Sequence, residues 1–88
     1  MIKGPYFHEQ GWEDYTYWQT EDRKTLKKIN QLIRDIKRSP YEGIGHPEPL
    51  KHKYQGYWSR HIDKYNRIVY RIEDNKLEIA QCKAHYDD

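Results

Sequence analysis

Apolar positions follow two different periods along the chain. Between Glu9 and Arg38 they recur every three or four residues, and beyond Gln55 they alternate with polar ones. In the first region Trp12, Tyr15 and Trp18 share a helical spacing, with Glu9, Glu13 and Asp14 near the front, where the helix dipole favours anions. This predicts a helix over about residues 9–19 and assigns its three rings to the core. Thr20 then offers an N-cap for a second helix, with Glu21 and Asp22 in its first turn and Lys37 and Arg38 in its last, before Ser39-Pro40 ends it. Leu26, Ile29, Ile33 and Ile36, supported by Leu32, form its apolar stripe. So short a link predicts an antiparallel helical hairpin.

The alternating region predicts three strands, about residues 56–63, 66–73 and 76–84, joined by tight turns at Asp63 to Tyr65 and at Asp74-Asn75 and therefore antiparallel. Ile2 to Phe7 is compatible with a further short strand, which Gly4-Pro5 would push to a sheet edge or delay. Strand parity puts Ile68, Tyr70 and Ile72 on one face and Arg67, Val69 and Arg71 on the other; in the last strand Ala80, Cys82 and Ala84 oppose Gln81, Lys83 and His85. Helices should cover the first set. Arg67, Arg71, Lys83 and His85 then share an open face, joined by His61 if Trp58 and Ile62 point inward. The fold class expected is α+β, a helical hairpin packed on a small antiparallel sheet.

Eighty-eight residues make one domain, and a chain of this size buries only roughly 60–65% of its unfolded surface. Leu, Ile, Val and Phe number only 15, so nine Tyr and three Trp must supply the missing apolar area, and rings with polar handles suit a thin core that meets a polar partner. The single Cys82 leaves no internal disulfide and no Cys-based zinc site. No span approaches the ~20 apolar residues of a membrane helix, and the first residues lack the apolar run of a signal peptide, so a reducing cytoplasm is the expected compartment.

The small net charge of +2 hides a segregation: residues 1–20 sum to −2, 21–38 to +4, 39–71 to +3 and 72–88 to −3. A basic middle is compatible with a polyanion lying across one face, since Lys and Arg release counterions from phosphates, and equally with a solvated helix.

The segment Tyr41 to Gln55 holds Gly43, Gly45, Pro47 and Pro49 and shows no usable period; long ordered loops in small domains often carry function. Within it Glu48 sits between two prolines that restrict the backbone on either side. A carboxylate, an arginine and a histidine converging on a basic face suit phosphodiester cleavage: one group takes the 2′-hydroxyl proton, a cation stabilises charge on the phosphorus oxygens, and another group protonates the leaving 5′-oxygen. Each residue also has a plainer reading. Glu48 fits a solvated loop, Arg67 a salt bridge or helix cap, His85 a surface imidazole, and Tyr86 a ring packed over the sheet edge. His46, His52 and His61 lack the intervals that hold a metal, and the chemistry above requires no cofactor.

Several spaced motifs resemble the YoeB-type toxins of the RelE superfamily: Trp12-Glu13-Asp14-Tyr15 with Tyr17-Trp18, Lys27-Lys28-Ile29-Asn30, Gly43-Ile44-Gly45-His46-Pro47-Glu48-Pro49-Leu50-Lys51, Trp58-Ser59-Arg60, Asn66-Arg67-Ile68-Val69-Tyr70 and Cys82-Lys83-Ala84-His85-Tyr86. The resemblance implies a RelE-like α+β fold and a metal-independent endoribonuclease that cuts messenger RNA in the ribosomal A site, usually as a homodimer, and is silenced by a cognate antitoxin. By position it implies Glu48 as general base, Arg67 as phosphate stabiliser, His85 as general acid and Tyr86 as the tyrosine completing the site. Lys51 matches a basic contact to RNA, and Arg60, His61, Arg71 and Lys83 are expected to add to the RNA-binding face. A non-catalytic ribosome or RNA binder of the same fold is the alternative. The chain departs from many relatives in having His61 where they carry a second arginine, and in ending on Asp87-Asp88.

Overall fold

The helical period becomes α1 (Glu9–Glu21) and α2 (Arg23–Arg38) in the computed structural model, which describes residues 1–84. Asp22 alone lies between them. Its backbone is extended, and its carboxylate accepts the amides of Lys24 and Thr25 at 3.1 Å and the Thr25 hydroxyl at 2.8 Å. The expected cap at Thr20 is therefore corrected: Thr20 is still inside α1, where its hydroxyl donates to the Tyr17 carbonyl at 3.1 Å. A carboxylate able to take three donors outcompetes a lone hydroxyl for the cap. Tyr15 donates to Asn30 at 2.7 Å, and since both lie about equally far from Asp22, the helices run antiparallel as the short link predicts.

Ile29, Leu32, Ile33 and Ile36 of α2 are buried, as the apolar stripe predicts. On α1 the expectation holds for Trp18 and fails for Trp12, which is 54% exposed. The reason is geometric. At 3.6 residues per turn, positions three apart drift steadily, so Trp12 and Trp18 lie about 120° apart round the helix. The buried set on α1 is instead Gly11, Asp14 and Trp18. Gly11 is needed for close approach: a Cβ there would lie 2.5 Å from the carbonyl oxygen of Ile79 in the sheet below.

The alternating region, with two edge additions, forms a five-stranded sheet from β1 (Lys3–Phe7), β2 (Glu48–Pro49), β3 (Trp58–His61), β4 (Arg67–Glu73) and β5 (Lys76–Gln81) in the order β1-β5-β4-β3-β2. The three expected strands are antiparallel neighbours, whereas β1 joins β5 in parallel and takes an edge, where Pro5 has no neighbour to disappoint. The sheet is therefore mixed, within an α+β architecture. Both helices cover the face bearing Ile68, Tyr70, Leu77 and Ile79. Parity fails at one place. Val69 pairs with Gln81 but Tyr70 with Ile79, leaving Ala80 as an extra residue in a bulge, so that Leu77, Ile79 and Cys82 point inward and Ala80 does not. The strand also ends at Gln81, short of the expected 84.

Arg60 is the largest correction. It was expected on the RNA-binding face, yet it is fully buried, because it pairs with Ile68 and so shares the inward face. Adjacent residues of a strand point to opposite faces, and Arg60 and His61 cannot both look outward. The guanidinium donates to Asp35 of α2 at 2.6 Å, to the carbonyls of Ser39, Glu42 and Ile44 at 2.6, 3.1 and 3.1 Å, and to the Tyr70 hydroxyl at 3.3 Å. Asp35 also takes the Ile44 amide at 3.1 Å and the guanidinium of Arg38. Gly43 passes so close that a Cβ would lie 2.1 Å from the Asp35 carboxylate, and its φ of +133° suits glycine. One buried ion pair thus wraps the first half of the long loop around itself.

Arg60→Ala should lower stability by about 3–5 kcal/mol, since it leaves Asp35 charged and buried and three loop carbonyls unsatisfied; the urea midpoint measures it. Burial raises the pKa of Asp35, but the Arg60 hydrogen bond, the Ile44 amide and nearby cations outweigh it and hold the carboxyl below its usual range. The pair's contribution is therefore complete above about pH 4, the unfolded value, and is lost as pH falls through the lower folded one. Stability of Asp35→Asn should accordingly be lower at neutral pH and fall less steeply under acid than that of the parent chain.

Candidate active site

Glu48 reaches the open face of the sheet through β2, a strand of only two residues. Pro47 and Pro49 lack backbone donors, so the segment can sit only at an edge, and its register sets Glu48 opposite Ser59 and Pro49 opposite Trp58. Val69 lies across from Ser59, and Gln81 across from Val69. This row leads from Glu48 to the end of β5. In the next row His61 pairs with Arg67. Arg67 crosses between the rows and donates to the Glu48 carboxylate at 3.1 Å. Two of the groups read from sequence are thereby brought into contact from strands at the edge and in the middle of the sheet. The acid is about half exposed and the arginine about a third, so both are open to a ligand.

The remaining expected residues are placed unevenly around this pair. His61 is half-buried on the open face, its ring 6.0 Å from that of His46, which precedes Pro47 with a positive φ of 56°. His46, part of the motif around Glu48 and two residues before it, thus lies beside the site without serving as a metal ligand candidate. Lys51 is exposed just past β2, ahead of the 3-10 turn His52–Tyr54. Arg71 lies on the expected face but is committed elsewhere. It donates to Glu78 at 2.9 Å, reaches Glu73 at 3.6 Å and stacks on the Tyr57 ring at 5.1 Å. Glu78 also pairs with His8 at 2.9 Å, and the His8 and Arg71 hydrogen bonds, against some burial, hold its carboxyl below the usual range. Lys83 lies beyond the strand end, with its amine 3.6 Å from the centre of the Tyr17 ring of α1. Sequence parity could not place it, because parity ends with the strand. His85 and Tyr86 lie outside the described residues.

The chain is held firmly where it leaves β5 toward those last residues. Asp14 of α1 accepts the Cys82 amide at 3.0 Å, and the Trp18 indole donates to the Cys82 carbonyl at 2.8 Å. Both are deep in the interface of helix and sheet. Burial, with the Asp14 charge adding to it, pushes the Cys82 thiol up to about 12. A thiol in that state is no nucleophile at neutral pH. Among the described residues no three His, Cys, Asp or Glu side chains are grouped to hold a metal, and no helix is long and apolar enough to cross a membrane.

A helical hairpin covering one face of a small sheet, with an acid and a guanidinium meeting on the other, defines the RelE-like α+β architecture. Solved structures agree: the YoeB/ParE toxin from Agrobacterium tumefaciens superposes with a TM-score of 0.92 at 44% identity, covering 96% of this chain and 100% of that one. The YoeB toxin in the heterotetrameric YoeB–YefM complex from Staphylococcus aureus gives 0.89 at 46% identity over 98% and 100%. The family described as "YoeB-like toxin of bacterial type II toxin-antitoxin system" matches residues 7–86, and the chain belongs to that family. Toxin YoeB of Escherichia coli K12 is 53% identical over 78 residues, spanning 89% of this chain and 93% of its own length, and Toxin YoeB of Streptomyces coelicolor is 52% identical over 80 residues, spanning 91% and 95%.

Ellman's reagent should leave Cys82 unmodified in the native protein and titrate one thiol per chain in urea; rapid reaction without denaturant would contradict the buried thiol.

Proposed function

We propose that the chain, as one domain, is a metal-independent endoribonuclease toxin that cleaves messenger RNA in the ribosomal A site and so inhibits translation. The observation that carries this reading is the contact of Glu48 with Arg67, both partly exposed, on the face of a YoeB-family fold that lies away from the helices. Glu48 takes the proton of the 2′-hydroxyl, whose oxygen attacks the adjacent phosphorus. Arg67 turns its donors from Glu48 to the phosphate oxygens as negative charge builds there. His85 protonates the departing 5′-oxygen, with Tyr86 completing the site. The bond from phosphorus to the 5′-oxygen breaks, leaving a 2′,3′-cyclic phosphate that water opens to a 3′-phosphate. Proton transfer and charge neutralisation come from side chains throughout, so the scheme calls for no metal. Lys51, His61 and Lys83 add positive or titratable groups for the RNA backbone, and Arg71 contributes through its place beside Tyr57.

The solved YoeB–YefM complex and the YoeB dimer, both from Staphylococcus aureus, support two partners. One is a cognate antitoxin that covers the open face; the other is a second copy of the toxin. Ribosomes carrying messenger RNA are the substrate, which places the protein in the cytoplasm.

Glu48→Ala, Arg67→Ala and His85→Ala should each reduce cleavage by about 10²-fold or more and abolish growth arrest. Primer extension on messenger RNA in a reconstituted translation reaction reads the cuts. The Glu48–Arg67 pair is partly exposed, so its loss should change stability by no more than about 1 kcal/mol, keeping a folding defect from mimicking the result. Undiminished cleavage by all three variants removes the site, and translational arrest by the parent chain without cut transcripts makes the protein a non-catalytic binder.

A further inference from the structure

The turn between β3 and β4 carries groups that the mechanism leaves unused. One oxygen of Asp63 accepts the amides of Tyr65 and Asn66, both at 2.8 Å, and each of its two oxygens accepts the Asn66 side chain at 3.1 Å. Some burial raises the pKa of Asp63, but these bonds outweigh it and keep the carboxyl below its usual range. That carboxylate is committed to holding the turn. The turn in consequence projects Lys64 and Tyr65 outward, the lysine amine 5.7 Å from the ring centre and the tyrosine 75% exposed. The fold gains nothing from burying Tyr65, since it scarcely does so.

Lys64, Tyr65, Arg67, Lys83 and Ala84 line a cavity of about 280 Å³. Three cationic residues and one accessible ring line it, with no carboxylate among the described lining residues; of the cations, Arg67 is paired with Glu48 and the Lys83 amine rests on the Tyr17 ring. This is the chemistry that grips single-stranded nucleic acid, cations on the backbone and a π face under a base. Arg67 belongs both to this cavity and to the pair with Glu48, so a nucleotide bound here adjoins the phosphate that Arg67 contacts.

We propose that Lys64, Tyr65 and Lys83 form a subsite for the nucleotide next to the scissile phosphate, with Tyr65 stacking on its base and the two lysines contacting its phosphate. The inference rests on the nuclease reading and adds the neighbouring nucleotide to it. Stacking accepts any base, so the subsite raises affinity for single-stranded RNA without selecting a sequence.

The test uses a short single-stranded RNA with 2′-O-methyl groups, which resists 2′-hydroxyl attack, and measures binding to the full chain by fluorescence anisotropy. Tyr65→Ala should weaken binding about tenfold, while Tyr65→Phe, which keeps the ring, binds as the parent does. Lys64→Ala should flatten the slope of log K against log salt by about 0.7, the share of one phosphate contact on a single strand. Parental affinity in Tyr65→Ala overturns the subsite, and so does a parental salt slope in Lys64→Ala. Cleavage of ribosome-bound messenger RNA by the parent chain is scored in parallel. If it cuts while Tyr65→Ala binds normally, only the subsite falls. If it cuts nothing yet binds the methylated RNA through Tyr65, the nuclease reading falls, and with it the scissile phosphate, while the contact of Tyr65 with single-stranded RNA stands.

Discussion

The structure depends on a guanidinium sealed inside it. Arg60 loses all contact with water, a cost of several kcal/mol for an unpaired ion, and the fold compensates with a carboxylate, three loop carbonyls and a phenol. Those partners come from α2, from the loop after it and from β4. Satisfying the charge therefore fixes three pieces of chain against one another, and the piece most constrained is the loop that delivers Glu48. A residue expected to hold RNA instead holds the scaffold on which the RNA-facing acid is mounted.

That arrangement explains how so small a core supports an ordered site. The two helices give one face of the sheet nearly all its apolar cover, with Ile29, Leu32, Ile36, Ile68, Leu77 and Ile79 excluded from water. The other face is partly covered by the chain after β2, which buries Ser59, Val69 and Gln81, and stays accessible around Glu48 and Arg67, where the short prolyl strand β2 extends it sideways. Polar anchors do the work that apolar area cannot. Arg60 with Asp35 secures the chain before β2, and Asp14 with Trp18 secures it after β5. The first anchor ends four residues before Glu48 and the second at Cys82, so both hold described chain that leads toward a proposed catalytic group.

The open face also sorts its cations by what surrounds them. Arg71 is neutralised by Glu78 and Glu73 and lies against Tyr57, which makes it part of the sheet's own bracing. Arg67 has an exposed acid for a partner, and Lys64 stands beside a carboxylate already occupied by backbone amides. Arg67 and the β3–β4 turn thus hold the cations of this face that are bound least tightly by the sheet itself.

Much of this was legible along the chain, because periodicity reports which side of an element is dry. The apolar stripe of α2, the three central strands and the shared face of Arg67 and Val69 follow from spacing alone, and the motifs around Glu48, Arg67 and His85 carried the family resemblance. Spacing was silent where a residue's surroundings come from distant chain. Whether Asp22 or Thr20 caps α2, that Trp12 turns outward, that Ala80 bulges and that Arg60 finds Asp35 are outcomes of competition among contacts brought together only by folding. Local sequence determined the elements and the kinds of chemistry available. The tertiary structure decided which charges were buried and paired and which were left facing the solvent, because the free energy of a charge is set by the groups around it in space.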